Sequence, residues 1–136
     1  MSKTKVLIVD DDIAASRLLA IGLEKTGSFQ AVTENVATRA PSTAREFKPA
    51  VILLDVCMPG LDGVQTLNGL RELDCEVPAC FMTAYTGAFE PEDLLRHGIA
   101  HVIAKPFHLE ELASILRLLT SREPAEFFPS GGVCQD

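Results

Sequence analysis

The sequence predicts an α/β fold in which a five-stranded parallel sheet is doubly wound, with helices on both faces. Three observations carry this. Short apolar runs alternate with helix-like stretches along the chain, the pattern produced by right-handed βαβ crossovers. Residues 6–9 (VLIV) and 50–54 (AVILL) are apolar throughout, as expected of central parallel strands covered on both faces. Both runs end abruptly in aspartate, at Asp10 and at Asp55.

Residues 6–9 form the first strand, closed by Asp10, Asp11 and Asp12. Residues 13–25 carry Ala15, Leu18, Leu19, Gly22 and Leu23 at helical spacing and stop near Gly27, a C-terminal helix signal. Residues 29–33 read as the second strand. Residues 42–47 read as part of a helix starting near Pro41, because proline suits a first helical turn. The third strand is 50–54. After a turn at 58–63 (MPGLDG), Val64, Leu67, Leu70 and Leu73 give a further helix one apolar stripe. Residues 79–82 form the fourth strand, ending at Thr83. Residues 91–97 form a short helix with Pro91 at its start and Gly98 past its end. The fifth strand is 102–104. Residues 109–119 form the last helix, with Leu109, Leu112, Ala113 and Leu116 on one face. Five such units favour the flavodoxin-like strand order 2-1-3-4-5. From about Ser121 periodicity is lost and Pro, Gly and Ser gather, so residues 1–120 are expected to form the domain and 121–136 a flexible tail.

Bulk properties narrow the function. A chain of 136 residues fits one core and therefore one site. Its 47% hydrophobic and 23% charged composition is that of a globular protein. Twelve basic and nineteen acidic side chains give a formal charge of −7, which disfavours nucleic acid or an anionic membrane as a direct partner. The N-terminus lacks a signal-peptide pattern, and the longest apolar run, 50–54, is far short of the roughly 20 residues that span a bilayer. The four cysteines, Cys57, Cys75, Cys80 and Cys134, show no CxxC spacing. Reduced thiols and a cytoplasmic location are expected.

In an open parallel sheet, ligands bind at the carboxyl ends of the strands. Asp10 and Asp11 end the first strand, Asp55 the third and Thr83 the fourth, and Lys105 follows the fifth. All five residues should converge on one edge. Crowded carboxylates repel one another, so a cation is expected among Asp10, Asp11 and Asp55, and oxygen ligands at a shallow site suit magnesium. A carboxylate beside such a metal can attack a phosphoryl group in line, which makes Asp55 the candidate nucleophile. Lys105 would supply a point charge, and the Thr83 hydroxyl a hydrogen bond to the attached phosphoryl group.

The segments VLIVDDD, ILLDVCMPGLDG, CFMTAY and IAKPF stand in the order and spacing of the response-regulator receiver family of two-component signalling, which the chain resembles over about residues 5–119. The resemblance implies that Asp55 is the phospho-acceptor and that Asp10, Asp11 and Asp55 hold the metal together with the backbone carbonyl of Cys57. It implies a switch hydroxyl at Thr83, an active-site lysine at Lys105, and a cis Lys105–Pro106 peptide that aims the lysine inward. It also implies phosphorylation by a histidine kinase or phosphotransfer protein. The chain would be no enzyme beyond self-phosphorylation from a phosphodonor and slow self-dephosphorylation. Cys57 and Tyr85 stand at the positions that influence phosphoryl lifetime in this family. One residue departs from the pattern. Three before the lysine the family usually has Tyr or Phe, and here stands Val102. Valine cannot perform an aromatic swing, so Thr83 is expected to move while Tyr85 or His101 changes exposure, and unchanged environments for both on phosphorylation would contradict this.

Plainer readings apply elsewhere. Asp12 is expected to cap the first helix, and Asp62-Gly63 is a plain turn. His97 and His108, at helix termini, receive no function. Cys57 is better read as an inert thiol than as a redox sensor. Leu118 and Ile115 widen the apolar face of the last helix, which marks either a docking or dimer surface or a broad core stripe. The protein is accordingly expected to be a monomer or a phosphorylation-dependent dimer. Output through a separate effector protein is expected, since no output domain follows within the chain; the alternative is that the tail begins a linker to one. A phosphorelay intermediate or phosphate sink keeps the same chemistry, and Val102 favours it mildly. A magnesium-dependent phosphohydrolase is a third reading, disfavoured because no cap or pocket-forming insertion is evident.

Overall fold

The computed structural model describes residues 3–55, 68–69, 77–83 and 101–120. The expected turn at 58–63, the helix at 91–97, the tail at 121–136 and all but residues 68–69 of the helix at 64–74 lie outside them. The strands are β1 (Thr4–Val9), β2 (Phe29–Glu34), β3 (Val51–Asp55), β4 (Ala79–Thr83) and β5 (His101–Ala104). The helices are α1 (Ile13–Lys25), α2 (Ala40–Phe47) and α3 (Leu109–Thr120), with a 3-10 turn at Ala37–Arg39. All strand pairs are parallel and the order is β2-β1-β3-β4-β5, as the alternation of elements predicts.

Uninterrupted apolar strands bury alternate side chains on opposite faces, and the two cores follow that period. Leu7, Val9, Ile52, Leu54 and Phe81 share one face with Ala37 and Ala40, against which Ala44 and Phe47 of α2 pack. Val6, Ile8, Leu53, Cys80 and Met82 share the other with Leu23 of α1 and Leu112 and Leu116 of α3. The sheet is therefore covered on both sides. Leu53 lies fully buried at the centre, paired with Ile8 and Cys80 on the flanking strands. Leu53→Ala should destabilise the fold by about 2–5 kcal/mol through lost burial and the cavity left behind, a loss that urea denaturation would read as a lower midpoint.

Local chemistry ends the helices. Asp12 caps α1, its Oδ1 accepting from the Ala15 amide at 3.0 Å. Gly27 follows with φ of +85°, a left-handed conformation that glycine adopts without steric cost. The helix α2 starts at Ala40, so Pro41 stands in its first turn, as the proline signal suggests. It ends on Lys48 in the left-handed region, with φ of 56°.

Candidate functional site

The carboxyl edge of the sheet gathers the acidic residues from separate strands. Asp10 follows β1 and is 3% exposed, Asp11 beside it is exposed, and Asp55 closes β3 partly buried. One carboxylate oxygen from each of the three lies within 4.8 Å of the others, a grouping that can hold a metal ion. Lys105, just after β5, sets its Nζ 3.4 Å from Asp10 Oδ2 and 3.7 Å from Asp55 Oδ2. Three carboxylates and one ammonium leave a formal charge of −2 in this small volume. Such an excess favours a divalent cation with oxygen ligands.

Backbone pairing places Lys105. Its amide donates to the Thr83 carbonyl at 2.8 Å, which continues the β4–β5 ladder past Thr83↔Ala104. The Lys105–Pro106 peptide is cis, as the family resemblance implies. Thr83 itself is buried at the end of β4, one strand over from Asp55. Asp10, Asp11, Asp55, Thr83 and Lys105 thus all stand on the expected edge. The expected fourth metal ligand, the Cys57 carbonyl, and Tyr85 lie outside the described residues, as do His97 and the Asp62-Gly63 turn.

Val102 is partly buried and packs against the core on the α2 side, paired with Phe81, while His101 is exposed. Cys80 is a free, buried cysteine; burial pushes its thiol up to about 12, which makes it a poor nucleophile. Next to the carboxylates opens an apolar groove of about 680 Å³, lined by Leu18, Leu19 and Gly22 of α1 and by Phe107 and Leu109, with Asp10 and Lys105 at its polar end. Ile13, Leu18 and Ile21 of α1 are large exposed hydrophobic side chains. No helix of the described residues is long and apolar enough to cross a membrane.

Sequence reasoning missed a polar layer behind Asp10. The Asn35 amide Nδ2 donates to the Asp10 carbonyl at 2.7 Å and to Ser16 Oγ at 2.9 Å. The buried Glu34 carboxylate accepts from the Val36 amide at 3.0 Å and from the Thr43 hydroxyl at 2.5 Å. Glu34 and Asn35 close the second strand at the same edge as the aspartates, so the strand-end rule that selected Asp10 and Asp55 would have flagged them too.

Comparisons with known proteins agree with this geometry. The response regulator receiver domain family matches residues 6–117. The chain is 35% identical over 125 residues to the transcriptional regulatory protein PrrA of Mycobacterium leprae, covering 92% of this chain and 53% of that protein. It is also 35% identical over 127 residues to the DNA-binding response regulator MtrA of Mycolicibacterium paratuberculosis, covering 91% and 56%. It spans about half the length of these curated relatives. Among solved structures, the receiver domain of the Francisella response regulator 1452 superposes with a TM-score of 0.80 at 26% identity, over 88% of this chain and 98% of that one. With the fold, the acidic edge and the family match in agreement, the chain belongs to the response regulator receiver domain family.

Proposed function

We propose that the chain is a phospho-accepting signalling switch that takes a phosphoryl group onto Asp55 from a phosphohistidine of a kinase or phosphotransfer protein. The observation that carries this reading is the convergence of Asp10, Asp11 and Asp55 with Lys105 at the carboxyl edge of the sheet. The donor set is all oxygen, which fits magnesium. Asp10, Asp11 and Asp55 would hold it, with the Cys57 carbonyl as a fourth protein ligand, and when bound it would neutralise charge on the phosphoryl oxygens. An Asp55 carboxylate oxygen attacks phosphorus in line, forming an acyl phosphate as the bond to the donor nitrogen breaks and the imidazole leaves. Lys105 stabilises the transferring oxygens through its ammonium, and Thr83 donates its hydroxyl to one of them once attached. The groove between α1 and Leu109, with the exposed Leu18 and Ile21 beside it, supports docking of the donor protein next to Asp55.

The receiver unit spans residues 1–120 in this reading and 121–136 form a tail. The phosphorylated state is read by a partner of the receiver. Relatives named as transcriptional and DNA-binding regulators, matched over about half their length, favour an output domain or partner that itself acts on DNA. The packing of Val102 in place of an aromatic supports a second reading as a relay or sink, in which the phosphoryl group returns to a histidine donor.

Phosphoramidate, a small phosphodonor with the same P–N bond, tests the chemistry. Incubated with magnesium, the protein should gain phosphate that neutral hydroxylamine releases, as it does from an acyl phosphate. Label that resists hydroxylamine would place the phosphate on a hydroxyl and sink the proposal.

A further inference from the structure

Among the described residues, the backbone of Asp10 is held by Glu34, the last residue of β2, and by Asn35 just after it. Its amide donates to the Glu34 carbonyl at 3.1 Å, and its carbonyl accepts from Asn35 Nδ2 at 2.7 Å. The same Asn35 amide reaches Ser16 Oγ at 2.9 Å, and Ser16 is 1% exposed on the first turns of α1, where its hydroxyl donates to the Ile13 carbonyl at 3.1 Å. Asn35 therefore joins the end of β1 to the start of α1, on either side of Asp11 and Asp12. Asp10 Oδ1 in turn accepts from the Asp12 amide at 3.0 Å, so the orientation of its carboxylate depends on the path of this short connection. Asn35 is itself held in place, because the Glu34 carboxylate ties down the Val36 amide and is bound by Thr43 of α2.

We infer that Asn35 is a positioning residue for the metal-binding carboxylates, acting through the Asp10 carbonyl and Ser16 to fix where the Asp10 and Asp11 side chains meet a divalent cation. The inference rests on the phospho-accepting reading above. Asp10 and Asp11 must keep their positions relative to Asp55 on β3, because magnesium tolerates little departure from its octahedral ligand geometry. A side-chain amide that donates to both the Asp10 carbonyl and Ser16 behind the ligand provides that constraint, as outer partners of metal ligands do generally. Without it, Asp10 keeps its place at the end of β1 through the Glu34 bond, but the turn carrying Asp11 is free to shift.

The test is magnesium binding by isothermal titration calorimetry to the wild-type chain, Asn35→Ala and Ser16→Ala, with the amide resonances of Asp10, Asp11 and Asp12 followed by NMR. Leu119→Ala, a partly buried core truncation on the far end of α3, serves as a control for lost stability. Asn35→Ala should weaken magnesium about tenfold and Ser16→Ala by less, since Asn35 then still holds the Asp10 carbonyl. Phosphorylation of Asn35→Ala by acetyl phosphate should approach the wild-type rate once magnesium is raised to saturation. Leu119→Ala should melt earlier yet bind magnesium as wild type does. Unchanged affinity in Asn35→Ala, or an equal loss in Leu119→Ala, would overturn the positioning role while leaving the phospho-accepting reading intact. A wild-type chain that binds no magnesium would overturn both.

Discussion

Asp55→Asn is expected to reduce acyl-phosphate formation to the background set by the donor's own hydrolysis. Asparagine matches the carboxylate in size but its amide oxygen carries no negative charge and is a poor nucleophile, so the P–O bond has nothing to form from. Position 55 ends β3 between β1 and β4, and its neighbours in the strand, Leu53 and Leu54, remain fully buried. The fold has no reason to suffer. The substitution removes one of three mutually repelling carboxylates and leaves Lys105 its contact with Asp10, so the melting temperature without divalent cations should be unchanged or higher. Incorporation of radiolabel from acetyl phosphate, read beside a melting curve, separates lost chemistry from lost structure. Hydroxylamine-sensitive label persisting on Asp55→Asn would make another carboxylate the acceptor.

Lys105→Met carries the second large effect. Methionine keeps most of the stem's apolar length but removes the ammonium lying 3.4 Å from Asp10 and 3.7 Å from Asp55. A preorganised cation aimed at developing charge typically contributes about 10²–10³ in rate, and phosphoryl uptake at saturating magnesium should slow by that order. Magnesium affinity should move the other way, because Lys105 competes with the metal for the same carboxylates. The opposed signs are diagnostic. A variant that loses both rate and affinity would show that Lys105 holds the site together rather than serving the transfer. Lys105→Arg should recover little of the rate, since a planar guanidinium does not reproduce a compact ammonium at this position.

Most of the architecture was legible because apolar runs and their abrupt polar ends mark buried parallel strands. Those ends name Asp10, Asp55 and Thr83 directly, and Lys105 follows from the fifth strand. The limits of the strands were less legible. Thr4 and Lys5 join β1, and Glu34 joins β2, through pairing with each other's strand. His101 joins β5 opposite Cys80. Hydrogen bonding to a neighbour, rather than side-chain character, decides such residues. Lys48 ends α2 in a left-handed conformation without the glycine that would announce it. The Ser16–Asn35 contact joins residues nineteen apart through side chains that each read as ordinary polar positions, one on a helix and one after a strand. Only the parallel pairing of β1 with β2, which aligns Val9 with Glu34, brings them together behind Asp10.

If the carboxylate cluster serves metal-dependent phosphoryl uptake, intact mass of the wild-type protein after acetyl phosphate, in magnesium and in excess EDTA, will show it. The expected result is the gain of one phosphoryl group in magnesium and none in EDTA. No gain in magnesium, or an equal gain in both, would contradict it.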